Sequence, residues 1–181
     1  MSSVGLSISR KVPFKVVLSN ASGGPLIEKH GLLSNQTEFN EFFDGQPPAT
    51  QIDFNEGFIF AIGLGQRPTG GYAVKVRSVT QITQGITAGT ITINYEELIP
   101  TGPTTDALTA PYTIIRATDV HFATHINFHR VKASFIVINL MDGGPHCRTV
   151  PEGSIFPQIY RQVFGPASES ECQQWMVANC Q

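Results

Sequence analysis

Charge is what this chain of 181 residues has least of. Asp, Glu, Lys and Arg supply 14% of it, against about a quarter in an ordinary globular protein. The net charge is -2, so there is no basic surplus to neutralise a phosphate backbone and no electrostatic basis for nucleic-acid binding. Long apolar runs are missing too, and no stretch reaches the length of a membrane span. Arg10 and Lys11 precede the apolar Val12 to Leu18, but Pro13 and Lys15 interrupt that run. It therefore makes no clear signal peptide.

Catalytic signatures are also absent. No serine sits in a Gly-x-Ser-x-Gly elbow, and no cysteine lies in a protease signature. Gly63 and Gly65 precede a turn and a strand where a phosphate-binding loop would precede a helix. Glu96 and Glu97 are neighbours on an expected strand, where they point to opposite faces and form no acid/base pair. The expectation is a protein that is not an enzyme, with no catalytic residue, cofactor or metal.

What is present in quantity is punctuation. Gly 17 and Pro 12 favour many short strands over long helices. Phe14 to Ser19 reads as a strand closed by a turn over Asn20 to Pro25, and Leu26 to Leu33 as a weaker strand broken by Gly31. Asn35 and Glu38 then stand at capping-box spacing, with Phe39, Phe42 and Phe43 at i, i+3 and i+4. That predicts a short helix near 35–44, ended by Gly45 and Pro47-Pro48, whose cap contributes roughly 1 kcal/mol.

Phe58 to Leu64 is continuously apolar, as a strand buried on both faces would be. Tyr72, Val74 and Val76 alternate with polar or small residues, and so do Ile91, Ile93 and Tyr95, predicting strands with one wet face. Pro100 to Pro111 reads as a loop and Tyr112 to Arg116 as a strand. Thr118 to Leu140 is too long for one strand and reads as two, bent near His129-Arg130. Met141 to Pro157 reads as irregular. Ser168 and Glu171 predict a second cap, starting a helix near 168–179 with Cys172, Trp175 and Met176 on one face.

The fold expected is mainly β: one antiparallel sandwich or barrel-like domain over residues 1–140, followed by a tail over 141–181 carrying the cysteines and the last helix.

One ordered set of motifs resembles a known family. It comprises the Phe-rich Glu38 to Phe43, Ile52-Asp53-Phe54, the apolar Gly57 to Leu64, and Arg67-Pro68-Thr69-Gly70-Gly71-Tyr72. The alternating strand, Glu97 to Pro100, and Thr109-Ala110-Pro111-Tyr112 complete it. Together these resemble the C-terminal domain of the PrcB family, accessory subunits of a bacterial surface protease complex, across roughly residues 37–116. The resemblance implies a small β domain that assists or stabilises a partner protease, and it brings no catalytic residue.

The Arg67 to Tyr72 stretch reads in two ways from its residues. Pro68 fixes one backbone angle and Gly70-Gly71 permit positive φ, as in a tight hairpin turn. The same stretch would present Arg67 and Tyr72, both favoured interface anchors, on an exposed edge. Arg67, Pro68, Thr69, Gly70, Gly71 and Tyr72 are therefore the candidate partner-binding residues.

His121, His125 and His129 invite a metal reading. The apolar Val120, Phe122, Ile126 and Phe128 recur with period two, so the segment is a strand. His121 and His125 are then about 13 Å apart, too far to share one zinc, and read as a polar strand face.

Three cysteines, Cys147, Cys172 and Cys180, leave at least one thiol free or intermolecular. On one continuous helix Cys172 and Cys180 lie about 12 Å apart, beyond the roughly 7 Å that a disulfide spans. Either Cys147 pairs with one of them and pins the tail, or all three are reduced.

Two functions fit. One is a non-catalytic accessory module that binds another protein, with a protease as the partner implied by the resemblance. The other is a self-assembling structural subunit, suggested by low charge, Thr-rich strands and an unpaired cysteine. Both favour an extracellular or surface setting.

Overall fold

A computed structural model describes residues 7–100, 104–120, 122–132, 134–141, 146–152 and 157–180. The protein is mainly β; its described residues form several sheets and two helices, and no described sheet closes into a barrel. The chain divides into two compact units, Met1–Val131 and Lys132–Gln181.

The first unit holds two open four-stranded sheets. One has the order β1 (Ile8–Val12), β5 (Ala73–Gln84), β6 (Thr90–Leu98), β8 (His125–Arg130). The other has the order β2 (Phe14–Asn20), β7 (Tyr112–Ala117), β4 (Phe58–Gly63), β3 (Lys29–Leu33). Only Pro13 separates β1 from β2, so the chain changes sheets there. Proline suits that corner, because it has no N–H to leave unpaired where one ladder ends.

A core between the sheets takes Val12 from β1, Phe60 and Ile62 from β4, Val79 from β5, Ile91, Ile93 and Tyr95 from β6, and Ile115 and Ala117 from β7. A second core lies on the other face of β4 and β7. There Ile59, Ala61, Tyr112 and Ile114 pack against Phe39, Phe42 and Phe43. The phenylalanines come from helix α1 (Gln36–Phe42) and its C-terminal cap, Phe43. This layering explains the unbroken apolar run, since alternate residues of β4 serve different cores. Asn35 caps α1, its side chain accepting from the Glu38 N–H at 3.0 Å.

Several boundaries differ from expectation. Strand β1 was read as no element, because Arg10 and Lys11 disguise it. Gly31 does not break β3 but lies inside it, paired with Ala61. The pairing of β6 with β8 is parallel where antiparallel strands were expected. Between β6 and β8 the chain contributes β7 to the other sheet, and such a crossover restores the original strand direction.

The long stretch before Leu140 does contain two strands, β8 and β9 (Phe135–Leu140). They fall in different units, however. Strand β9 is the centre of the second unit's three-stranded sheet, between β10 (Arg148–Pro151) and β11 (Tyr160–Ala167). Residues 132–140 thus fold with the tail that sequence alone had begun at 141. Part of Met141 to Pro157 lies outside the described residues, and β10 is the ordered strand within it.

Helix α2 (Glu169–Asn179) closes the second unit, and its capping box joins Ser168 and Glu171 in both directions. Its inner face carries the buried Cys172 and the half-buried Trp175 and Met176. Cys147 and Cys180 form a disulfide with Cα atoms 6.0 Å apart, and Cys172 is free.

Candidate functional site

The Arg67 to Tyr72 segment links β4 in one sheet to β5 in the other, so it is not a hairpin turn. A hairpin would pair the two strands it joins, and these two lie in different sheets. Its backbone is instead laced to the 104–109 loop. The Arg67 N–H donates to Thr109 O at 2.7 Å, and the Thr109 N–H donates to Arg67 O at 3.0 Å. The Gly70 N–H donates to Thr105 O at 3.0 Å, and the Thr109 hydroxyl to Thr69 O at 2.8 Å.

Glycine is required at Gly71, and at Gly70 a larger residue would have to displace the Thr105 hydroxyl. Gly71 holds φ +88, and a Cβ on it would lie 2.8 Å from Pro100 Cβ; one on Gly70 would lie 2.5 Å from Thr105 Oγ1. Pro68 and Gly71 are left exposed, and Thr69, Gly70 and Tyr72 are half-buried.

Arg67 turns inward. Its Nε and Nη2 donate to the two carboxylate oxygens of Glu97 at 2.6 and 3.2 Å. The two side chains are only 19% and 15% exposed. On β6, Ile91, Ile93, Tyr95 and Glu97 share the inward face, and Glu97 is reached where the apolar core ends. A carboxylate in that position needs compensating cations, and a second one comes from β8. Arg130 Nη1 lies 3.0 Å from Glu97 Oε2, and Arg130 Nη2 lies 2.6 Å from Glu28 Oε2.

The chain of contacts then reaches β3. The Tyr95 hydroxyl donates to Glu28 Oε1 at 3.3 Å and meets His30 Nε2 at 2.8 Å, while the His30 ring stacks on Phe128. Arg67, Glu97, Arg130, Glu28, Tyr95 and His30 therefore form one polar lattice that binds the first sheet to the second.

Of these six, sequence reading singled out only Arg67 as a site residue. The others come from segments far apart in the chain, but one signal was readable. After Ile91, Ile93 and Tyr95, the next inward position of the strand is a carboxylate.

Burial pushes the Tyr95 phenol above its ordinary value, and Glu28 adds to this, while Arg130 pulls the other way. Burial alone raises Tyr112. For a raised acid, the neutral form is the one the fold favours. That stability is complete below the ordinary tyrosine value of about 10 and is lost as pH climbs from there through the raised value. Absorbance titration should show Tyr95 and Tyr112 ionising above the ordinary tyrosine value, with the first unit's urea resistance falling in that range. Tyr95 and Tyr112 titrating near pH 10 in the folded protein would contradict this.

A cavity of about 470 Å³ is lined by Phe43, Asp44, Gln66 and Ala110 among others. Leu26 and Leu108, 65% and 66% exposed, also line it. Ile27 and Ile99 next to these loops are also exposed.

His125 and His129 point outward on β8, alternating with Ile126 and Phe128, and His129 Nδ1 meets Asn94 Oδ1 at 3.1 Å. His121 lies outside the described residues. Among the described residues no group of three His, Cys, Asp or Glu could hold a metal ion. No described helix is long and apolar enough to cross a membrane.

No curated protein and no solved structure matches this chain. A family model does, over a span that begins at Phe58 and so leaves the Phe-rich helix and Ile52 to Phe54 outside it. It takes in β4, the Arg67 to Tyr72 segment, β5, β6 and β7. Residues 58–117 of this protein match the family described as PrcB C-terminal.

Proposed function

We propose that this protein is a non-catalytic accessory module whose loop end docks on another protein, and that the partner is a peptidase. The carrying observation is the rigid loop pair 66–72 and 104–109 with exposed Leu26 and Leu108 beside it. Large apolar side chains grouped at one site are a mark of protein contact. Loops already held by backbone bonds lose little further freedom on docking. The match to the PrcB C-terminal family supports a protease as the partner.

In this reading Arg67 is not the anchor. It holds the loop from below, and the contacts come from Pro68, Tyr72, Leu108 and Leu26. Self-assembly through sheet edges is the rival. Edge strand β2 carries features that discourage it: Pro13 at its start, Lys15, and an irregularity between Val16 and Leu18.

Capture from an extract of the source organism tests the proposal with three baits. Wild type and Ile86→Ser, altered at a 98% exposed residue in the β5–β6 turn, should retain the same peptidase. Leu26→Ser/Leu108→Ser should lose it at least tenfold while keeping its circular dichroism. Equal recovery on all three baits, or recovery of the bait alone, would overturn the reading.

A further inference from the structure

The second unit is small, and among its described residues the buried apolar ones are few: Ile136, Val137, Ile138 and Cys172. Units of this size rarely hold together on a core alone and need a staple. Helix α2 buries little of itself. Of its 11 residues only Cys172 is buried. Trp175 stacks on Phe164 with centroids 5.2 Å apart, and the Thr149 hydroxyl approaches Met176 Sδ at 3.3 Å.

The staple is Cys147–Cys180, which ties the end of α2 to the start of β10 across 33 residues. Closing a loop of that length shifts the folding equilibrium by roughly several hundred-fold through chain entropy. The third cysteine is the residue that α2 itself buries against β9. The Cys172 thiol donates to Phe135 O at 3.4 Å beneath the helix.

We propose that Cys147–Cys180 is a redox latch on the second unit, and that its reduction by a dithiol releases α2 and uncovers Cys172. A thiolate of the reductant attacks one sulfur and forms a mixed disulfide. Its second thiol then displaces the protein sulfur, so that two electrons and two protons leave Cys147 and Cys180 as thiols. The reductant ends as its own disulfide.

While the latch is closed, Cys172 is doubly guarded. It is out of contact with solvent, and burial together with Glu171 and Glu169 raises its pKa, keeping it a thiol and not the reactive thiolate. Opening removes the burial. The device is independent of any partner that the first unit binds.

The test uses the full chain and two readouts. Iodoacetamide labelling is located by peptide mass, and fluorescence follows Trp175, the only tryptophan and thus a reporter of the second unit alone. In oxidised protein Cys172 should stay unlabelled. In excess dithiothreitol its labelling rate should rise at least a hundred-fold and Trp175 emission should shift to the red. Amide exchange across β4 to β7 should not change.

A Cys147→Ser/Cys180→Ser variant should behave this way without reductant. If that variant does not accumulate, the dithiothreitol arm on wild type decides. Cys172 still protected after Cys147 and Cys180 are free would overturn the latch. So would equal labelling before reduction, or loss of protection across β4 to β7.

Discussion

Ile59→Ala and Phe60→Ala, at adjacent positions in one strand, are both expected to destabilise the first unit severely, by about 2–5 and 3–5 kcal/mol. On a strand with one wet face, neighbours differ sharply, because only one of the two is buried. In β4 both are fully buried. Phe60 sits between the two sheets with Phe128 and Phe58 near its ring. Ile59 sits under the phenylalanines of α1.

Removing either side chain loses its transfer free energy and leaves a cavity that a pair of sheets can only partly collapse. Against a total of about 5–15 kcal/mol for a typical domain, the Phe60 loss would move a urea midpoint by roughly 2 M at an ordinary slope. The first unit must be followed by circular dichroism, since Trp175 reports only the second. A loss below 1 kcal/mol at either position would mean that β4 is not buried on both faces. Ile86→Ala, on an exposed turn, should change stability by no more than about 0.5 kcal/mol.

That layering was legible because burial on two faces leaves a local mark, an apolar run with no alternation. The caps at Asn35 and Ser168 were legible for the same reason, since each bonds a group three residues away. Three strands escaped, and the causes are physical. Strands β1, β10 and β11 are all edges, where one row of backbone groups needs no partner and the hydrophobic demand is weak. Arg10 and Lys11 in β1, and Gly165 and Pro166 in β11, are tolerated there and read as anything but strand.

Pairing was harder still. Nothing near Ile91 announces that Ile126 will lie beside it in parallel, because the reason is the whole crossover between them. The polar lattice is the extreme case, as Glu28, Glu97 and Arg130 meet only after both sheets have formed. The cysteines lay between these limits. Helical geometry separated Cys172 from Cys180 in advance, but which of the two met Cys147 depended on where the end of α2 falls.

Glu97→Ala is expected to be the most damaging change in the candidate site, worse than losing Arg67 itself. Glu97 is the only lattice member that bonds both arginines. Without it Arg67 is left in a poorly solvated position facing a cation, with Gln66 O at 3.1 Å as its remaining acceptor. Arg130 keeps Glu28.

Stranding one partner of a buried pair costs about 3–5 kcal/mol. Arg130 and Glu28 are more than a third exposed, so solvent relieves part of this and about 2–3 kcal/mol remains. In Arg67→Ala, by contrast, Glu97 stays paired with Arg130, and the expected loss is about 1–2 kcal/mol.

The two variants should also differ in where they loosen the protein. Amide exchange in Glu97→Ala should accelerate both at the Arg67–Thr109 ladder and at the β6–β8 pairing, since Glu97 tethers both. In Arg67→Ala it should accelerate at the ladder alone. If Glu97→Ala proves the milder substitution, or leaves exchange at Arg67 and Thr109 unchanged, Glu97 does not hold the loop. The order of the Arg67 to Tyr72 segment must then come from its bonds to Thr105 and Thr109.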